Sequence, residues 1–202
     1  MKLSEKQSKI YQEVKLIFPN DRNNPKLQYV NRDWIFPNHI DIVIDSASEF
    51  IKTYYPDANR EVVFLASLLH DTGLVYKRTK DDPIGHEERS VEYTKNILGR
   101  YGYPEELIKE VVLAVSATEP ENKFETVEAK IVRTADAYSH FVSIHFFAKA
   151  NFADRCEDFF KWFSKKIDTT YEKIVIEEVG DELEPIYRHY RRAIDRYINS
   201  SI

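Results

Sequence analysis

The chain has 202 residues, 43% of them hydrophobic, enough for a full core and against global disorder. Its 29 Lys and Arg face 34 Asp and Glu, a net charge of -5, which argues against an extended nucleic acid as partner but allows a small anion at a local basic patch. The single cysteine, Cys156, excludes an intrachain disulfide, and the polar start from Met1 to Gln7 with no long apolar run predicts a cytoplasmic protein that stays out of membranes.

Only 5 glycines interrupt runs rich in Leu, Ile, Lys and Glu, so the predicted fold is all-α. Residues 4–18 form a weakly amphipathic helix with Ile10, Val14, Leu16 and Ile17 as its apolar positions. A polar loop from Pro19 to Pro25 leads past Trp34, Phe36 and Pro37 to Asn38, the expected N-cap of the next helix. From His39 onward, Ile40, Val43, Ile44, Ala47 and Phe50 keep helical spacing until Pro56 and Asp57. The stretch from Glu61 to Gly73 is apolar on nearly every face, as in a buried helix, with Gly73 as its expected terminating glycine. A charged loop from Lys77 to Asp82 and Pro83 precede a helix starting near Gly85 or His86, with Glu87 and Glu88 in its first turn. Further helices are predicted at 104–117, 125–148, 152–168 and 181–199, the last striped by Leu183, Ile186, Tyr187, Tyr190, Ile194, Tyr197 and Ile198. No repeat or linker divides the sequence, so residues 1–202 are expected to form a single domain.

Within these elements a few polar residues stand out. Asp71 closes a core helix at the negative end of its dipole, which is unfavourable unless a cation or donors answer it. The plainer alternative is a helix end facing water. Asp136 borders the stripe of Ala129, Val132, Ala135, Ser139 and Val142, so its carboxylate needs a partner, with Arg133 or nearby hydroxyls as ordinary candidates. His39 and His86 each open a helix, and each alone reads as a polar residue at a helix start. Taken together, His39, His70, Asp71 and Asp136 form a mixed nitrogen and oxygen set. Such a set suits one divalent transition metal (Mn, Fe, Co, Ni or Zn) better than calcium or magnesium.

The order His39, then His70-Asp71 closing an apolar helix, then Asp136 in Arg133-Thr-Ala-Asp136-Ala, resembles the HD-domain phosphohydrolase superfamily. The segments NHIDIVIDSASEFI, EVVFLASLLHDTG, IGHEERSVEYTKNIL and AKIVRTADAYSHF are similar to its successive motif regions, over about residues 34–145. The resemblance implies an HD-domain-like helical bundle with the metal at its centre, here joined by an N-terminal helix and extra C-terminal helices. It implies a metal-dependent phosphohydrolase acting on a small phosphorylated substrate, a nucleotide among the candidates, by attack of metal-bound hydroxide on phosphorus. Asp71, as ligand and as the group that orients or deprotonates water, and His86, at the substrate phosphate or a bridging water, are the expected catalytic residues. Lys77, Arg78 and Arg133 are candidate phosphate contacts, against the alternative of a solvated charged loop.

Two departures from the family pattern matter. Leu74 stands where many relatives carry lysine, and Thr118 where relatives with two metals carry a second histidine. Glu119 adjoins Thr118, but one residue further along a helix points well around the cylinder. One tightly held metal per chain is therefore expected. His140 and His145 match no ligand position of the family and read as core or neighbouring residues. Two competing readings are a non-catalytic domain that keeps its metal and binds a ligand or partner, and an iron oxygenase, which normally needs both metals. The oligomeric state stays open, a homo-oligomer included.

Overall fold

Ser4 opens the first helix with a reciprocal cap: its hydroxyl accepts from the Gln7 amide, and the Gln7 side chain accepts from the Ser4 amide. The computed structural model describes residues 3–20, 31–75, 85–119, 121–151, 153 and 155–200. Among them the regular elements are all helical. They are α1 (Glu5–Ile17), α2 (Arg32–Ile35), a π turn (Phe36–Ile40), α3 (Asp41–Thr53), α4 (Arg60–Leu69), a 3₁₀ turn (Thr72–Leu74), α5 (His86–Arg100), α6 (Glu105–Ser116), α7 (Val127–Val142), α8 (His145–Asn151), α9 (Cys156–Tyr171) and α10 (Glu177–Ser200). None of the described helices is long and apolar enough to cross a membrane.

The all-α expectation holds, and several boundaries move for identifiable reasons. Asn38 is not an N-cap. The helix starts seven residues earlier, where the Asn31 side chain accepts from the Asp33 amide, and the Asn38 amide group donates to the Trp34 carbonyl at 3.0 Å. His39 therefore lies inside a continuous helical segment, in the π turn closed by the Asp41 amide on the Phe36 carbonyl. The helix predicted over 125–148 is cut in two at Ser143, whose extended backbone ends α7 and whose hydroxyl accepts from the His145 amide. On α1 Ile10 and Val14 are buried, Ile17 packs partly buried against the core, and Leu16 faces solvent.

The centre of the molecule is α7, which packs against α3, α4, α6 and α10. Thr126 caps it, and residues 131–137 are buried without interruption. In α4, every residue from Val62 to Leu69 is buried, as its unbroken apolar run predicts. Each fully buried Leu or Ile in these two helices contributes roughly 1.5–3 kcal/mol. The aromatic residues of α8, α9 and α10 close one side: Phe146 lies 4.8 Å from Phe163, and Phe160 stacks on Tyr197 at 3.9 Å between centroids.

Gly73 does something other than end a helix with a left-handed turn; among the glycines only Gly102 has a positive φ. A Cβ at position 73 would sit 1.8 Å from the His86 carbonyl oxygen and 2.7 Å from the Ser90 nitrogen, so the missing side chain lets α5 approach the turn after His70-Asp71. The contact is stapled by the Gly73 amide donating to Ser90 Oγ at 2.8 Å and by Arg89 Nε donating to the Gly73 carbonyl at 2.9 Å. Both obstacles are backbone, which cannot rotate aside. Gly73→Ala is expected to destabilise the chain by about 3 kcal/mol or more and to displace His86. Equilibrium urea unfolding measures this, and an unchanged midpoint would refute the close approach.

Candidate metal centre

His70 ends α4, and Asp71 follows in a bridge-region backbone conformation (φ -105, ψ 7), so the two adjacent side chains turn to one point rather than lying a helical step apart. His39 comes to that point from the π turn and Asp136 from the middle of α7. His39 Nε2 lies 3.1 Å from His70 Nε2, 3.0 Å from Asp71 Oδ2 and 3.5 Å from Asp136 Oδ1. His70 Nε2 is 3.6 Å from Asp71 Oδ2 and 3.7 Å from Asp136 Oδ1. Donors bonded to one ion at about 2.1 Å stand roughly 3.0 Å apart at right angles and roughly 3.4 Å apart at the tetrahedral angle. The two shortest separations, 3.0 and 3.1 Å, fall in that range, and the other three, 3.5–3.7 Å, lie a little beyond it.

Hydrogen bonding on the far side of each imidazole fixes what faces inward. His70 Nδ1 lies 2.9 Å from the Ser67 carbonyl, so the hydrogen of the neutral ring belongs on Nδ1. The Ser139 hydroxyl donates to the Asp136 carbonyl at 2.7 Å, which leaves its oxygen to accept from His39 Nδ1 at 2.8 Å. Both neutral rings therefore aim the bare lone pair of Nε2 at the same place as two carboxylate oxygens. With both rings neutral, four acceptors with no hydrogen among them repel unless a metal ion, or a proton on His39, stands between them. The cluster thus fits a divalent metal, which could be held by His39, His70 and Asp71 or by His39, Asp136 and His140, two groups that share His39.

Proton affinities follow the same logic. Burial works against charge on His39, yet the hydrogen bond and charge of Asp71, with Asp136 behind, raise its pKa above the ordinary imidazole range. Burial lowers that of His70. Burial alone would raise both aspartates. Asp71 is instead pulled well down by His70 and His39, and Asp136 by Lys173 and His140.

His86, at the start of α5, stands at the rim. Its Nε2 is 3.7 Å from Asp71 Oδ1 and 3.0 Å from Glu87 Oε1, and its side chain is 37% exposed. Thr118 is buried beside the same cavity, its hydroxyl donating to the Val115 carbonyl at 2.8 Å. Because α6 has already ended at Ser116, the helical argument against Glu119 fails, and Glu119 lines the cavity next to Glu87. Burial and the neighbouring Glu87 carboxylate raise the Glu119 pKa above the ordinary carboxylate range.

Arg133 takes a structural place rather than one at the cavity. It is buried, its Nη1 donates to the carbonyls of Ala117 and Glu119 at 2.7 and 2.8 Å, and its guanidinium lies over Phe124. Although it is one turn from Asp136 on α7, its guanidinium is taken up by the carbonyls that follow α6. Lys77 and Arg78 lie outside the described residues.

Sequence reasoning placed His140 as a core or neighbouring residue without its partner, and it missed Lys173. His140, one helical turn after Asp136, brings Nε2 within 3.5 Å of Asp136 Oδ1, and burial, helped by Lys166, lowers its pKa to about 3, so the ring is neutral. The i, i+4 spacing from Asp136 was the available signal. Lys173, in the turn between α9 and α10, pairs with Asp136 Oδ2 while Oδ1 faces the histidines. Nothing in its local sequence points to this. The cavity over the donors holds about 470 Å³, the size of a small-molecule site.

A family model described as the HD domain matches residues 38–140, half of the chain. That segment runs from the π turn into α7 and contains His39, His70, Asp71 and Asp136. No curated protein and no solved structure matches the chain.

Proposed function

The chain belongs to the HD-domain family, and from that premise we propose that it is a metal-dependent phosphohydrolase acting on a small phosphorylated molecule. The observation that carries this reading is the convergence of two imidazole lone pairs and two carboxylate oxygens at the wall of a cavity of about 470 Å³. A divalent ion bound there would polarise a phosphate oxygen and acidify a water.

The chain's own residues supply the rest. Asp71 presents Oδ2 to the donor cluster and Oδ1 toward His86, so one carboxylate can hold a ligand position and take a proton from water. His86 stands between Asp71 and Glu87 at the exposed rim, within reach of a phosphate oxygen. Ser139 and Ser67 lock the tautomers of His39 and His70, which keeps the nitrogen lone pairs pointed inward. Lys173 neutralises the second oxygen of Asp136.

The test is phosphate release from a panel of nucleotides and sugar phosphates, with Mn, Fe, Co, Ni or Zn added to the dialysed chain. Metal-dependent release from at least one ester is expected. Metal-replete protein that is inert across the panel, while the helical fold is intact by circular dichroism, would sink the reading.

A further inference from the structure

Three lysines reach the cavity from parts of the chain that lie beyond the family-matched segment: Lys149 on α8, Lys166 on α9 and Lys173 after α9. Lys173 is committed to Asp136. Lys166 is different. It falls on the inner stripe of α9, between the buried residues Phe163 and Thr170, where the helical pattern would place an apolar side chain. Among the described residues its ammonium makes no hydrogen bond or ion pair. Lys149 lies beside it, 5.4 Å over the Trp162 ring.

These charges are close enough to oppose one another. Burial, then Lys173, pull Lys166 below the ordinary lysine range, and burial, then Lys166, do the same to Lys149. Lys166 also feels the charges of Asp136 and Asp71, which places it within electrostatic reach of the donor cluster. A half-buried ammonium facing like charges is costly unless an anion answers it. Glu87 acts on Lys166 through its charge but forms no ion pair with it, being held with Glu119 and His86. Within the cavity, Lys166 is thus an ammonium that lines the same space as the donor cluster without a hydrogen-bonded partner of its own among the described residues.

We propose that Lys166, supported by Lys149, forms a second anion-binding position in the cavity, so that the substrate carries two phosphoryl groups, one at the metal and the next on this lysine wall. The substrate class is then a phosphoanhydride or bisphosphate rather than a lone monophosphate. A monophosphate satisfies the metal and leaves Lys166 unanswered, whereas a diphosphate satisfies both. The inference rests on the phosphohydrolase reading for its first phosphoryl position, and its test reads binding alone.

The probes are methylenediphosphonate, which keeps the diphosphate geometry without a hydrolysable bridge, and inorganic phosphate. Both are titrated calorimetrically into the manganese-loaded full chain. The unmodified chain should bind the diphosphonate at least about tenfold more tightly than phosphate. Lys166→Met should remove that preference and leave phosphate affinity unchanged, Lys166→Arg should restore most of it, and Lys165→Met, an exposed neighbour on the same helix, should change neither. Metal content should be equal in all four proteins. Diphosphonate binding by Lys166→Met at the unmodified level, an equal loss for both probes, or the same loss in Lys165→Met would overturn the proposal. A blank ester panel with the lysine-dependent preference intact would instead overturn hydrolysis and leave this subsite standing.

Discussion

Asp71→Ala is expected to lower metal content and turnover together, with turnover falling about 10³-fold or more. The substitution removes one of the two anionic donors and leaves two lone pairs and a single carboxylate, a set with much weaker hold on a divalent ion. It also removes the oxygen facing His86, and so the group placed to accept a proton from water. His86→Ala is the informative contrast. Because His86 lies 3.7 Å from Asp71 and at the rim, its loss should reduce turnover roughly 10²-fold while metal content stays unchanged. Elemental analysis beside phosphate-release kinetics separates the two. Full metal and full activity in Asp71→Ala would mean that the site is elsewhere.

Metal removal should cost the chain much of its thermal stability. A ligand that binds only the folded state at about 1,000 times its dissociation constant stabilises by roughly 4 kcal/mol, and for a chain of this size that is roughly 8–16 °C in Tm. One equivalent of metal per chain should restore it, since Thr118 offers only a hydroxyl already donated to Val115 where a second ion would need a ligand. The gap between metal-free and metal-loaded protein should narrow as pH falls. In the metal-free chain the raised pKa of His39 means that its protonated ring is stabilised by Asp71 and Asp136. That contribution is fully present below the unfolded imidazole value of about 6.5 and is lost as pH rises through the folded value. Protons also compete with the metal for His39 and His70. Acidification thus strengthens the His39 contribution to the metal-free state, which the loaded state lacks, and weakens metal binding. Differential scanning fluorimetry from pH 8 to pH 6, with and without chelator, checks the sign; a gap that widens toward pH 6 contradicts this ligand set.

Much of this was legible in the sequence because helical patterns carry it. The apolar run before His70 gave a buried helix, the stripe around Asp136 gave a core helix, and the order of the four donors pointed to one centre. What escaped was whatever depends on geometry between elements or on a departure from regular helix. Asn38 read as an N-cap because asparagine is favoured there, yet it falls inside a π turn whose extra residue leaves no signature of its own. Ser143 breaks α7 from α8 without glycine or proline. Arg133 looked like a phosphate contact by proximity in sequence, and the carbonyls of the α6–α7 loop take up its guanidinium instead. Lys173 is an ordinary turn residue until the fold brings it to Asp136.

The ion pair between Lys173 and Asp136 crosses the end of the segment that matches the family. Residues 38–140, cut out and expressed alone, would keep all four metal donors and lose the ammonium that shares the load of a buried carboxylate. Asp136 would then need a proton or a second hydrogen-bond donor, and its hold on the metal would weaken. Grafts, chimaeras and truncations meant to preserve the centre therefore have to extend at least through Lys173, well past the last residue that the family has in common.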